Sequence, residues 1–319
     1  MMTVLFSHSA CLTHDTGPGH PECPDRLRAV LGALNAEEFK TLHREEAPLA
    51  EEAHFLLAHT VRHVDGVRQR IPASGLSAID PDTVISPGSW EAARRAAGAL
   101  VAAVDLVMAG RADNAFCAVR PPGHHAERTG AMGFCLFNNI AIGALHARAV
   151  HGAKKIAVVD FDVHHGNGTQ DIFEQDPGLL FLSTHQWGAY PGTGSASEHG
   201  VANNIVNIPL PPGTGSEAWR AAMSGGLLPA LRAFEPELIL ISAGFDAHMA
   251  DPLAQMRLTT EDFAWGTEQI CKVAREVCGG KVVSTLEGGY DLDALADSAA
   301  AHVRALMASG SVAVGQSFV

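Results

Sequence analysis

Two aspartates and two adjacent histidines follow an apolar run in IAVVDFDVHHGNG, residues 156–168. Asp162 and His164 are two positions apart, so in an extended chain their side chains point to the same side. A third metal ligand would have to come from elsewhere. Asp246 in SAGFDAH is the candidate, although a lone aspartate after a strand is more often a turn former or a helix cap. Two carboxylates and one imidazole leave an open coordination position for water and substrate, as a hydrolytic zinc site requires.

Adjacent histidines occur twice, in RPPGHHAE at 120–127 and in DVHHGNG at 162–168, each time beside glycine after an apolar run. The repetition of this pair favours a catalytic interpretation over a structural one. The remaining histidines lie on helical patterns or lack a group of neighbouring ligands, and we expect them to be solvated or structural. They include His43, His54, His59, His63, His146, His151 and His302.

Motifs of other hydrolases and of nucleotide-binding enzymes are absent from the sequence. There is no GxSxG of a serine hydrolase. The glycine turns GPGHPE and GTGS lack the Lys-Ser/Thr of a phosphate loop, and no GxGxxG dinucleotide motif is present. Metal-assisted hydrolysis therefore remains as the chemistry that these residues could perform.

Short apolar runs without alternation are separated by longer helical patterns, which indicates an α/β protein with a mainly parallel sheet and helices on both faces. Strands are predicted at 3–6, 115–119, 156–162, 179–183, 205–210, 238–243 and 281–286, and helices at 89–110, 260–280 and 291–310, among others. The segment 186–217 is expected to be a functional loop around one of these strands. Because ligands of such sheets bind beyond the carboxyl ends of the strands, the polar residues at five strand ends are expected to meet.

The composition limits the class of protein. With 319 residues, of which 47% are hydrophobic, the chain is expected to form one domain over 1–319, with a core at about 3–309 and a tail at 310–319. A formal charge of −13 argues against a broad nucleic-acid surface. The six cysteines form no CxxC pair, and neither a signal peptide nor a membrane span is recognisable, which favours a cytoplasmic protein.

Six motifs occur in order between about residues 3 and 309: RPPGHHAE, GFCLFNN, DFDVHHGNGTQDIF, YPGTG, SAGFDAH and LEGGYDL. Together they resemble the zinc-dependent histone deacetylase and acetylpolyamine amidohydrolase family, on its class II side. Several long motifs in order are a far more specific signal than any one of them alone. The resemblance implies a three-layer arginase/deacetylase fold, with a mainly parallel central sheet of about eight strands.

The same resemblance implies two sets of residues around a metal-activated water. The ligands of one catalytic Zn²⁺ would be Asp162, His164 and Asp246. The paired general acid and base, each with the side chain behind it, would be His124 with Asp160 and His125 with Asn167.

Further residues of the motifs would contact the substrate. Tyr290 would donate its hydroxyl to the acyl carbonyl and stabilise the oxyanion. Phe134 and Tyr190 would form the walls of a narrow tunnel, where Gly133 would allow close approach. Arg26 would lie in the internal cavity through which acetate leaves.

The family also holds a structural K⁺ near the zinc. The matching groups here would be the side chains of Asp160 and Ser183 and the main-chain carbonyls of Asp162, His164 and Thr184. Two cations would explain why a buried strand ends in carboxylates, because metal ions neutralise them.

Two residues refine the expected activity. Some members of the family carry histidine where this chain has Tyr290 and are poor deacetylases, so tyrosine favours a competent catalyst. Polyamine-selective members can carry an acidic gatekeeper at the position of Leu253, and leucine cannot attract a second ammonium group. We therefore expect hydrolysis of N-acyl amides, above all of acetyl-lysine in proteins or peptides. No nucleic-acid or membrane partner is expected, and a homo-oligomer stays possible.

Three alternative functions are compatible with parts of the sequence. An enzyme of the same chemistry could act on acetylpolyamines or other small amides, because the sequence does not define the rim of the tunnel. A non-catalytic acyl-lysine binding module would keep the pocket, but the complete set of acid, base, oxyanion donor and ligands counts against it. A dinuclear manganese ureohydrolase shares the fold, but it needs more carboxylates at the metal than the motifs supply.

Overall fold

The strands alternate with helices along most of the chain, and the computed structural model describes residues 2–309. The tail predicted at 310–319, which includes the last residue of the helix predicted at 291–310, lies outside the described residues. The strands are β1 (Thr3–Ser7), β2 (His43–Glu46), β3 (Ser77–Ala78), β4 (Val84–Ile85), β5 (Asn114–Cys117), β6 (Ile156–Asp160), β7 (Leu179–Gln186), β8 (Ile205–Leu210), β9 (Leu238–Ala243) and β10 (Val282–Leu286).

The helices form the layers outside the sheet. They are α1 (Pro24–Ala33), α2 (Glu52–Ala58), α3 (Val61–Arg70), α4 (Ser89–Met108), α5 (Asn139–His151), α6 (Asn167–Phe173), α7 (Ser216–Ala222), α8 (Leu228–Phe234), α9 (Thr260–Cys278) and α10 (Leu292–Ser309). Two short 3₁₀ turns, Ser9–Leu12 and Glu37–Phe39, and one π-helical turn, Met223–Leu227, complete the regular structure of the described chain.

Eight strands make the central sheet in the order β2-β1-β5-β10-β9-β6-β7-β8, and every neighbouring pair is parallel. The predicted parallel sheet of about eight strands is thus confirmed. β3 and β4 form a separate antiparallel pair. The inner strands β5, β6, β9 and β10 are wholly buried, which is why their sequences are apolar without alternation.

Helices cover both faces of the sheet. Leu240 of β9 faces α5, where a methyl group added at Gly143 would lie 3.5 Å from its side chain. Phe116 of β5 faces the other way and packs edge-on against His302 of α10, with ring centroids 5.4 Å apart. Because Phe116 pairs in register with Ser284, which also bonds His302, this second face is continuous across β5 and β10. One hydrophobic cluster extends through the layers from Val4 to Leu306.

Some predicted elements need correction. β2 has the sequence HREE and all four residues are exposed, so no apolar run announced it; His43 lies in this strand rather than on a helix. Charged side chains are suited to the edge of a sheet because they discourage pairing with another chain. Within the predicted loop 186–217, β7 extends to Gln186 and β8 lies as predicted at Ile205–Leu210. Among residues 2–309, no helix combines the length and apolar character needed to cross a membrane.

Candidate active site

Three side chains that could hold a metal ion converge beyond the ends of β6 and β9. Nδ1 of His164 lies 3.1 Å from Oδ1 of Asp162 and 3.1 Å from Oδ2 of Asp246, and all three residues are buried. Backbone amides hold both carboxylates: Val163 N–H donates to Asp246 Oδ1 at 2.9 Å, and Gly288 N–H donates to Asp162 Oδ2 at 2.8 Å. One imidazole and two carboxylates converging in this way suit Zn²⁺ with an open coordination position.

The charges of this cluster also suit a divalent cation. Burial would lower the pKa of His164, but hydrogen bonds to the two carboxylates, together with their charges, raise it to about 10. Burial, reinforced by the charge of Asp162, raises the pKa of Asp246 to about 7. A cluster that would otherwise need extra protons can bind a metal ion in their place, because the ion neutralises the carboxylates and displaces the proton of the imidazole.

Gly288, in the EGGY motif, has to be glycine because the backbone passes directly over the carboxylates. A Cβ at this position would lie 2.1 Å from Oδ2 of Asp246 and 2.6 Å from Oδ2 of Asp162. Both distances are far below van der Waals contact. Any side chain at residue 288 would therefore displace two of the three candidate ligands.

The adjacent histidines 124 and 125 lie beside this cluster, with ring centroids 4.0 Å apart. Nδ1–H of His124 donates to Oδ2 of Asp160 at 2.9 Å. Nδ1–H of His125 donates to Oδ1 of Asn167 at 2.8 Å, while the Asn167 amide nitrogen donates to Oε1 of Glu127 at 2.8 Å. Each neutral ring bonded in this way keeps a lone pair on Nε2 for proton transfer.

The two histidines have opposite electrostatic environments. Burial would lower the pKa of His124, but the carboxylates of Asp162 and Asp160 outweigh it and raise the pKa to about 10. Burial, followed by the charges of His124 and His164, holds the pKa of His125 well below its ordinary value. One ring is therefore disposed to carry a proton and the other to accept one.

The two side chains expected around K⁺ lie side by side on β6 and β7. Asp160 and Ser183 are partners in register, so their side chains share one face of the sheet. The neighbouring side chain of Thr184 is directed elsewhere, because its hydroxyl accepts a hydrogen bond from Trp219 Nε1 at 3.0 Å. The main-chain carbonyl of Thr184 is therefore the group of this residue that could face a K⁺ ion.

A cavity of about 220 Å³ leads from the surface to these residues. The buried His125 and His164 and the partly buried Tyr290 line it. Phe134 and Tyr190 form its walls: the Tyr190 ring packs edge-on to His125 with centroids 5.1 Å apart, and the Phe134 ring does so to Tyr290 at 5.9 Å. The structure thus brings the predicted tunnel residues together.

The turn at Gly133 and Phe134 has an unusual backbone. Both residues have positive φ, 57° and 67°, and the second is a rare conformation for a residue with a side chain. A Cβ at Gly133 would lie 2.5 Å from the ring of His125 and 2.9 Å from that of Tyr190. A side chain at residue 133 would therefore clash with both rings.

Arg26 lies behind Tyr290 and is fully buried. Its guanidinium carbon is 4.8 Å from the centre of the Tyr290 ring, and its nitrogens donate to the main-chain carbonyls of Gly289 and Glu287. From the other side, Oδ2 of Asp251 accepts the Tyr290 N–H at 2.7 Å. Arg26 and Asp251 together hold the loop that carries the tyrosine.

Besides Asp251 and Glu127, two further acidic residues near the site were missed by reasoning from the sequence. Glu287 is buried and its Oε2 accepts the N–H of Gly123 at 2.7 Å and that of His124 at 3.2 Å, so it supports the histidine pair. Its place in the LEGGYD motif was the only signal. Asp82 lines the cavity together with the half-exposed Leu253. Leu253 alone suggested a neutral rim, but Asp82 adds a carboxylate to it. Nothing in the local sequence marked Asp82.

The surroundings of the histidines outside this cluster agree only in part with those expected from the sequence. His165, the second member of the later pair, bonds Thr193 Oγ1 at 2.8 Å and Gln170 Oε1 at 2.9 Å, so it supports the 190–194 loop instead of facing the cavity. The expectation that His146 and His151 lack neighbouring ligands is wrong. Both contact Asp105, which the fold brings to them from another helix.

Comparison with known proteins places these features in one family. The model of the histone deacetylase domain matches residues 20–306. The chain is 41% identical to histone deacetylase 14, chloroplastic, of Arabidopsis thaliana, over 97% of this chain and 78% of that protein. It is 39% identical to a histone deacetylase-like amidohydrolase of Pseudomonas aeruginosa, over 90% and 81%. A crystal structure of the HDA15 HD domain superimposes with a TM-score of 0.91 at 37% identity and covers 99% of this chain and 92% of that one.

Proposed function

The chain belongs to the histone deacetylase family, and from this premise we propose that it is a zinc-dependent deacetylase acting on acetyl-lysine in proteins or peptides. The observation that carries the proposal is the convergence of Asp162 and Asp246 on His164, which lines a cavity together with His125 and Tyr290. A binding module that only recognised acyl-lysine would not need an acid, a base and a hydroxyl donor in the same cavity.

The residues around the cavity divide the reaction between them. Zn²⁺, when held by the three ligands, supplies Lewis acidity toward the acyl oxygen and water. His125, kept neutral by burial, accepts the proton of the attacking water at Nε2. His124, whose Nδ1–H is held by the carboxylate of Asp160, stabilises charge beside it and can donate a proton to the departing amine. The hydroxyl of Tyr290, whose pKa burial also raises, stays protonated and donates to the oxyanion.

K⁺ and an internal exit are further parts of the proposal. Asp160 and Ser183, adjacent in register, support a K⁺ site behind the histidine pair. The buried guanidinium of Arg26, close to Tyr290, supports a role in holding the released acetate. All six cysteines are free thiols, five of them buried, which supports a reducing compartment such as the cytoplasm.

One observation favours a second candidate, the deacetylation of small cationic amides such as acetylpolyamines. Asp82 lines the same cavity as the neutral Leu253 and could attract an ammonium group. Burial, then the hydrogen bond and charge of Asp80, raise the pKa of Asp82, which weakens that attraction. The lysine substrate therefore remains the first choice.

A deacylation screen tests both candidates. Acetyl-lysine peptides, acetylspermidine and longer acyl-lysines are compared by kcat/KM, with the metal content of the same samples measured. The proposal expects activity that depends on bound zinc and is highest on acetyl-lysine peptides. Deacetylation of no acetylated amine by the zinc-loaded protein would instead point to a binding module.

A further inference from the structure

A second group of metal-binding side chains lies on the surface formed by α4 and α5. Oδ1 of Asp105 is 2.8 Å from Nε2 of His146 and 2.7 Å from Nε2 of His151. The three ligand atoms lie within 4.8 Å of one another. His146 is 5% exposed and is therefore held in place by packing, while His151 and Asp105 are partly open to solvent. Two imidazoles and a carboxylate thus point at one place that water can reach.

This group is remote from the active site. Asp105 lies in the last turn of α4, and His151 is the last residue of α5. Each helix is followed by a parallel strand, β5 or β6, so each must end at the amino edge of the sheet. The active site lies at the carboxyl edge. The two clusters can therefore be changed independently.

Outside the active site, other histidines of residues 2–309 that have carboxylate or carbonyl partners lack this arrangement. His43 meets only Glu45, at 2.6 Å, in an exposed pair. His59 and His302 use both ring nitrogens in hydrogen bonds to separate groups, as expected of structural histidines. At Asp105, by contrast, two imidazoles from one helix share a single carboxylate oxygen on another.

We propose that Asp105, His146 and His151 form a second site for a divalent transition-metal ion, which joins the ends of α4 and α5. Two imidazole nitrogens and one carboxylate oxygen are ligands that Zn²⁺ prefers, and water would complete a tetrahedral shell. The present distances of 2.7 and 2.8 Å between Nε2 of each histidine and Oδ1 of Asp105 are hydrogen-bond lengths. Two ligand atoms that each lie roughly 2.0 Å from a tetrahedral ion are about 3.3 Å apart, so these distances need to increase only slightly. Small side-chain rotations provide that change.

His54 does not complete the site as it stands. Its ring packs edge-on to His146 with centroids 5.4 Å apart, but its Nδ1 accepts the N–H of Glu51 at the start of α2. A neutral ring that accepts at Nδ1 carries its proton on Nε2 and has no second lone pair for a metal. The expected donor set is therefore three protein ligands.

The test is a calorimetric titration of Zn²⁺ into the full-length protein that already holds its catalytic metal. One additional equivalent is expected. The His151→Ala protein should bind it on the order of a hundredfold more weakly. Loss of a residue that only hydrogen-bonds a metal ligand already weakens binding by up to about a hundredfold, and His151 is a ligand itself. His43→Ala, which removes an exposed histidine beside a carboxylate, is the matched control and should bind like the wild type.

Two further measurements make the outcome decisive. Zn²⁺ at a hundredfold excess over Kd should raise the thermal midpoint of the wild type by about 4 °C but not that of Asp105→Asn, which keeps the shape of the side chain. The deacetylase rate of His151→Ala should be unchanged, so a failure of the proposed function leaves this test intact. Uptake of no additional equivalent, or equal uptake by His151→Ala and Asp105→Asn, would overturn the proposal.

Discussion

The guanidinium carbon of Arg26 lies 4.8 Å from the centre of the Tyr290 ring, and the same side chain donates to the carbonyls on either side of Gly288. The tyrosine ring is thus held from behind by a buried cation, while Asp251 fixes its backbone N–H. These contacts involve the ring and the backbone of Tyr290, so removal of the hydroxyl should leave the ring in place. A variant that keeps the ring therefore reports on the hydroxyl alone.

Tyr290→Phe should reduce kcat by about a hundredfold or more, because one oxyanion donor is lost. The ring still packs on Arg26, so the zinc content and the thermal midpoint should stay close to those of the wild type. Steady-state kinetics with an acetyl-lysine peptide and metal analysis of the same sample check both points. An unchanged rate would remove Tyr290 from the proposed mechanism.

Asp246→Ala should lose the catalytic zinc and its activity, because only Asp162 and His164 remain as ligands. The measurement is best made in a His151→Ala background, so that metal bound near Asp105 is not counted. Chelation of the parent protein should abolish activity, and added Zn²⁺ should restore it. Full activity of the Asp246→Ala protein after exhaustive chelation would falsify the assignment of this ligand.

Substrate choice should depend on the two residues at the rim. Acetyl-lysine peptides should exceed acetylspermidine in kcat/KM, and Leu253→Glu should shift that ratio toward the polyamine by about tenfold, the size of one partly screened charge contact. Asp82→Asn tests the opposite charge effect at the same rim. If the wild type prefers acetylspermidine and loses this preference in Asp82→Asn, the second candidate substrate is the correct one.

Asn167→Asp should raise the pKa of His125, because a new carboxylate at Nδ1 favours the protonated ring. Since His125 has to be neutral to accept a proton, the acidic limb of the kcat/KM profile should move to higher pH. The variant is best combined with Glu127→Gln, because Glu127 now accepts from the Asn167 amide and would repel a carboxylate there.

The matched control for this profile is Glu127→Gln alone, measured at the same zinc and potassium concentrations. Its acidic limb should stay close to that of the wild type. A limb that stays in place or moves down in the double variant, with metal content unchanged, would mean that His125 is not the group that titrates there.

His302 should make the stability of the protein depend on pH. Burial lowers the pKa of this histidine to about 3, whereas the unfolded chain binds a proton near the ordinary value of about 6.5. Between these values the unfolded state holds the extra proton, so stability falls as pH falls. A His302→Asn variant should therefore show a slope that is smaller by about 1.4 kcal/mol per pH unit between pH 6 and 5.

The free energy of unfolding by urea at several pH values gives this slope directly. Asparagine costs stability at every pH, because the ring bonds Thr267 and Ser284 and packs among aromatic side chains. The comparison therefore uses the slope and not the absolute value. Equal slopes for the two proteins would show that His302 is charged in the folded state.

Much of the fold and of the active site followed from the sequence alone. The buried strands β6, β9 and β10 are apolar because both faces of the sheet are covered, and this makes them recognisable without a structure. The spacing of Asp162 and His164 pointed to the right pair, but β6 ends at Asp160 and both residues lie in the bend that follows it, so the expectation of an extended chain there is wrong. Residues that follow parallel strands meet at one edge of the sheet, so the candidate site could be assembled from short motifs.

The remaining features depended on contacts between distant segments. Asp82 lines the same cavity as Leu253, 171 positions away in the sequence. β2 joins the sheet as a charged edge with no apolar signal. Asp105 meets His146 and His151 only because α4 packs against α5. Local spacing follows from covalent geometry and can be read along the chain. The approach of two helices or loops is decided by the packing of the whole core, which no short stretch of sequence contains.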